Sequence, residues 1–162
     1  MNARTTRSSF PAAPFVIGVT LAGTVLLLPA RPLAAQPVVS GCGTIEGNVV
    51  WTSGTVYVLD HCTVVVAAGS SLTIPAGTVV KVAGSHDRIV VDGALAIEGT
   101  GAAPVVVTSL RDDGVAGDTN GDGTTTSPAP GDWGWIVFNP GSQGSLRHAD
   151  IAFGGVGFHG YT

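Results

Sequence analysis

The sequence predicts an all-β fold, a β-solenoid whose short strands coil around one core, and three observations predict it. Beyond residue 35 the apolar residues fall in short β-branched runs such as TVYVLD, TVVVAA, SLTI, TVVKV, RIVV, PVVVTSL and WIVF, each bounded by Gly, Asp, Ser or Pro. No stretch carries an amphipathic stripe long enough for a stable helix. Finally, residues 63–82 (TVVVAAGSSLTIPAGTVVKV) and 88–108 (RIVVDGALAIEGTGAAPVVVT) repeat one order: β-branched triplet, Gly turn, L-x-I strand, Gly-Thr turn, valine strand. Such a spacing suits one coil of three short strands.

The elements follow in order along the 162-residue chain. Residues 1–35 predict an export signal rather than part of the fold. Arg4 and Arg7 form a positive start, Phe15 to Leu28 is an uncharged apolar run, and ARPLAAQ supplies small residues for cleavage after Ala35 or Ala34. The apolar run is short for a bilayer span, which leaves an uncleaved anchor as the weaker alternative and the mature chain not membrane-spanning. Cleavage removes Arg4, Arg7 and Arg31 and leaves four basic residues against eleven acidic ones, a net charge of −7. That balance argues against nucleic acid as a partner, because phosphate binding draws on Lys and Arg. It suits an exported chain that meets cations.

Residues 36–62 are read as an N-terminal cap region holding both cysteines, Cys42 and Cys62. In an oxidising compartment they are expected to form a disulfide. VSGC, ending at Cys42, also has the local look of a lipobox, although Pro29 to Val38 separates it from the apolar run. Residues 63–162 are read as coils, with a third round from Trp135 to Phe153 and an inserted acidic loop at 111–133. Alternation in TVVKV places Val80 and Val82 inside and Lys81 in water, and in ALAIEG places Leu95 and Ile97 inside. In SLRHADIAF alternation breaks between Arg147 and Asp150, as at a corner joining two strands. A β-sandwich of short hairpins is the alternative architecture. It explains the repeated turn order less well, and the coils lack Asn-Gly or Asp-Gly hairpin signals.

Residues 51–82, 89–110, DTNGDG and SPAPGDWGWIVF together resemble the N-terminal part of bacterial secreted right-handed parallel β-helix proteins of the pectin-lyase-like superfold. The resemblance covers about Gly43 to Gly155. It implies an exported, surface-associated protein. Members are typically longer, with more coils and an anchoring module, so this chain, ending in GFHGYT with apolar Phe158 and Tyr161, is expected to be a fragment.

Chemistry concentrates in the loop. Asp118, Asn120, Asp122 and Gly123 make D-x-N-x-D-G, the first half of an EF-hand-type calcium loop; Ala129 stands where a bidentate Glu would complete it. Asp112, Asp113 and Asp132 are the candidates for further ligands, and five of the eleven acidic residues lie between Arg111 and Trp133. Calcium as a structural ion is the expected cofactor. The competing expectation is a solvated loop whose Asp and Asn close Asx-turns.

Catalytic candidates are weaker. Lyases on this superfold pair calcium-binding carboxylates with a basic residue; Lys81, Arg88 and Arg111 are available, but no spacing matches a catalytic signature. Glycoside hydrolysis needs two converging carboxylates, and Asp92, Glu98, Asp112, Asp132 and Asp150 stand in no such signature. His61, His86, His148 and His159 show no zinc-ligand spacing. Trp133 and Trp135 are expected on one strand face, as a buried pair closing a coil or, alternatively, as a sugar-stacking platform. The leading expectation is a non-enzymatic, adhesin-like surface scaffold. The alternatives are a carbohydrate-active enzyme fragment, or a surface that binds extracellular or cell-surface polysaccharide.

Overall fold

The computed structural model describes residues 36–155. The expected export signal and the terminal Phe158, His159 and Tyr161 lie outside them.

Among the described residues, thirteen short strands form three sheets, and every pairing between these strands is parallel. One sheet stacks β1 (Val38–Ser40), β4 (Val56–Leu59), β7 (Val79–Val82), β10 (Val105–Ser109) and β13 (Ala149–Ile151). The second stacks β2 (Gly43–Ile45), β5 (Thr63–Val66), β8 (Arg88–Val91) and β11 (Ile136–Phe138). The third stacks β3 (Asn48–Val50), β6 (Ser71–Pro75), β9 (Ala94–Glu98) and β12 (Gln143–Arg147). The chain visits the three sheets in rotation, so each trio is one coil. Parallel neighbours throughout exclude a sandwich built of hairpins, in which sequential strands pair antiparallel.

Register follows the sequence repeat. Thr63 pairs with Arg88, Leu72 with Leu95, and Ile74 with Ile97. Inward side chains therefore stack in columns along the solenoid: Ile74, Ile97 and Leu146; Val66, Val91 and Phe138. Ile74, Ile97, Val66 and Val91 are fully buried, each contributing roughly 1.5–3 kcal/mol of transfer free energy. Close coil stacking also dictates Gly93, where a Cβ would stand 2.2 Å from Ser70 O and 2.3 Å from Ala67 O.

Two expectations change. Residues 36–62, read as a cap region, carry β1 to β4 in register with the later strands, so the first coil already begins at Val38. Trp51 stacks on Tyr57 with ring centroids 4.0 Å apart and joins the core. Lys81 does not face water. Its side chain points away from the solenoid interior, as alternation requires, yet it is completely buried because residues 111–132 fold across that face. The break expected between Arg147 and Asp150 is a corner: His148, at φ 43°, turns β12 into β13.

Cys42 and Cys62 are joined in a disulfide. It ties the β1–β2 bend to the β4–β5 bend one coil above.

Candidate functional site

The acidic loop leaves β10 after Ser109 and rejoins the solenoid at Trp133. Its neck is closed by Asp132, whose carboxylate accepts hydrogen bonds from Ser109 Oγ at 2.6 Å, Ala129 N at 2.9 Å and Arg111 Nη1 at 3.0 Å. Asp112 ties the loop down a second time, accepting from Thr108 Oγ1 at 2.7 Å and Gly114 N at 3.2 Å. Thr108 is itself fully buried on the outward face of β10, paired with Lys81 on β7. These contacts make the loop a fixed cover rather than a free linker.

At the far end, Asp118 organises the D-x-N-x-D-G turn. Its carboxylate accepts from the backbone N–H groups of Gly121 (2.7 Å), Asp122 (3.2 Å) and Gly123 (2.9 Å). These bonds, Gly123 foremost, hold the Asp118 carboxyl below the usual aspartate value. Asn120 donates to Asp122 Oδ2 at 2.8 Å. The arrangement is an Asx-turn network.

Of the six candidate ligands, three come together. Asp113, Asp118 and Asp122 each present a carboxylate oxygen within 4.8 Å of the others. Oδ1 of Asp113 and Oδ1 of Asp122 are shielded from solvent and have no hydrogen-bond partner. Asn120 turns its amide nitrogen toward Asp122, while Asp112 and Asp132 serve the loop's attachments.

Lys81 is the residue that sequence reasoning placed wrongly. Its ammonium donates to Gly117 O at 2.6 Å, and the negative charges of Asp113, Asp112 and Asp118 act on it. Burial pushes its pKa down from the usual lysine value, and the three carboxylates oppose that shift. One signal was available. The coil repeat puts Lys81 level with Thr108, three residues before the acidic loop starts, so the loop could be expected to meet it.

The tryptophans do not share a face. Trp133 is buried and its indole N–H donates to Ala152 O at 2.7 Å, whereas Trp135 is half-buried with the Arg88 guanidinium 5.6 Å from its ring centroid. Gly134 between them is pressed against the residue just before β8, where a Cβ would lie 2.7 Å from Asp87 O. The ladder is irregular there, with Gly134 N on Asp87 O and Ile89 N on Trp135 O, and regular pairing with β8 starts at β11. Asp87, also unnoticed in the sequence, is buried and accepts from His61 N and Gly84 N. Two further carboxylates are engaged separately: Asp92 accepts from Asn139, and Glu98 lies 3.8 Å from Arg147. At the last described coil, Phe138, Leu146 and Ile151 occupy inward columns yet are 38%, 46% and 45% exposed, forming a shallow apolar depression beside Trp133 and Phe153.

Three stacked parallel sheets wound as one solenoid, with a polar loop pinned across one of them, define a parallel β-helix domain. The family comparison agrees: the model of the pectate-lyase-like beta helix domain matches residues 43–157, and the chain belongs to that family. No match was found among curated proteins or among solved structures.

Proposed function

We propose that the protein is an exported, surface-associated β-helix scaffold whose acidic loop takes up calcium as a structural ion. The observation that carries the calcium reading is the pair of solvent-shielded, unpartnered oxygens on Asp113 and Asp122, gathered with Asp118. A buried carboxylate oxygen without a partner is costly, and a cation would neutralise both at once. An all-oxygen donor set selects a hard ion, and calcium tolerates the irregular geometry of such a loop. Backbone carbonyls and water would complete the six to eight ligands calcium takes, which places affinity on the order of 10⁻⁴ to 10⁻³ M. The Cys42–Cys62 disulfide supports export to an oxidising compartment. No helix among the described residues is long and apolar enough to cross a membrane.

Thermal melting of the chain from Gln36 onward tests the reading. Calcium at about ten times the dissociation constant adds about 1.4 kcal/mol, a shift of several degrees. Asp118→Ala with Asp122→Ala removes that increment. An unchanged melting temperature at millimolar calcium overturns it.

A second reading is action on, or binding of, an acidic polysaccharide. It is favoured by the family's pectate-lyase-like character and by the half-exposed Trp135 carrying the Arg88 guanidinium. Unsaturated or reducing-end products from polygalacturonate with calcium would support the enzymatic form. Binding lost in Trp135→Ala with the fold intact would support the binding form.

A further inference from the structure

The feature left unexplained is a buried lysine beneath a loop that has its own turn network and its own neck. Lys81 is fully buried on the outward side of β7, flanked in its column by Val58 and Thr108. A lysine there could extend into water, and it is instead enclosed with its ammonium on Gly117 O at 2.6 Å. The loop brings Asp112, Asp113 and Asp118 to bear on that charge. Arg111, the other cation nearby, is already taken by Asp132 at 3.0 Å.

The backbone carries an independent sign of the same contact. Ala116 has φ 56° and Gly117 φ 77°, consecutive left-handed residues at the point where the loop touches Lys81. Left-handed geometry is disfavoured for alanine and persists only where surrounding contacts enforce it. The contact that follows directly is the Gly117 carbonyl held by the Lys81 ammonium.

We propose that Lys81 is a resident cation of the acidic loop, a positioning residue whose ammonium latches the loop shut across β7 when no metal is bound. Its side chain neutralises part of the charge of Asp112, Asp113 and Asp118 from below, on the solenoid side. On the calcium reading above, a divalent ion at Asp113, Asp118 and Asp122 would act on two of the same carboxylates. Either cation alone then suffices to keep the loop closed.

Hydrogen exchange of residues 111–132 tests the latch, in chelator and in millimolar calcium. Lys81→Met keeps the unbranched apolar stem of the side chain and removes the ammonium, with its charge and its hydrogen bond. In chelator its loop amides are expected to exchange about tenfold faster than wild type or more, the order expected for one lost charge-assisted hydrogen bond. The amides of β8 and β9 stay unchanged. Lys81→Arg, which restores a cation, recovers most of the protection, and calcium closes the loop in Lys81→Met. Loop protection in chelator equal to wild type in Lys81→Met overturns the latch. Calcium without effect on any variant overturns the calcium reading, and the chelator comparison still decides the latch.

Discussion

Truncating Ile97 and Leu146, two members of one inward column, should give very different costs. Ile97 on β9 is fully buried between Ile74 on β6 and Leu146 on β12. Ile97→Ala removes three carbon atoms from the middle of the stack and leaves a cavity that neighbouring coils cannot close without breaking register. Fully buried aliphatic residues cut to alanine lose about 2–5 kcal/mol, and a site gripped from both sides belongs in the upper half, about 4 kcal/mol. Leu146 is 46% exposed, with no described strand beyond β12. Solvent already reaches about half of its side chain and no closed cavity forms, so Leu146→Ala should cost about 1 kcal/mol. Urea unfolding followed by far-ultraviolet circular dichroism measures both in the disulfide-intact protein. Equal costs, or a larger cost for Leu146, would refute the stacked-column account of stability. The comparison rests on a difference between variants, in which the contribution of the unfolded reference state largely cancels.

Two further outcomes are expected. Replacing Cys42 and Cys62 together with serine should lower stability by about 3 kcal/mol, since the bridge closes a separation of 20 residues; an unchanged denaturation midpoint would show that the first coil is held without it. The Asp118 carboxyl is held below its ordinary value, so its contribution to loop closure is present above the unfolded aspartate value of about 3.9 and is lost as pH falls through the folded value. The amide resonances of Gly121 and Gly123, which donate to it, should titrate with a midpoint below that ordinary value. A midpoint at or above it would contradict the turn geometry.

The strands and their register were legible in the sequence because a solenoid repeats its local rule. A β-branched triplet, a Gly turn and an L-x-I strand recur, and Leu72 over Leu95 and Ile74 over Ile97 follow from aligning the two copies. Alternation gave the right side of the sheet for Val80, Val82, Leu95 and Ile97, all buried in the core. The corner at His148 showed as a fault in that alternation. The cysteine pair was legible from composition together with the expectation of export, and it bridges adjacent coils. The D-x-N-x-D-G turn was legible as a turn, because Asx geometry is local.

What lay beyond the sequence was everything that depends on a second segment arriving from elsewhere. Alternation states which way Lys81 points, not what covers it; the cover comes from residues 111–132, one coil later in the chain. The five candidate carboxylates were alike in type, and the tertiary structure separated Asp132 at the neck and Asp112 on Thr108 from the gathered Asp113, Asp118 and Asp122. Trp133 and Trp135 looked like one face in the sequence, yet Trp133 joins the core while Trp135 lies against Arg88, with Gly134 between them close to the Asp87 carbonyl. The sequence by itself determined the repeat, because strand period and turn chemistry act over a few residues. Burial of a charge, selection among equivalent ligands and the facing of the tryptophans were decided by tertiary structure, because each depends on distances between residues far apart in the chain.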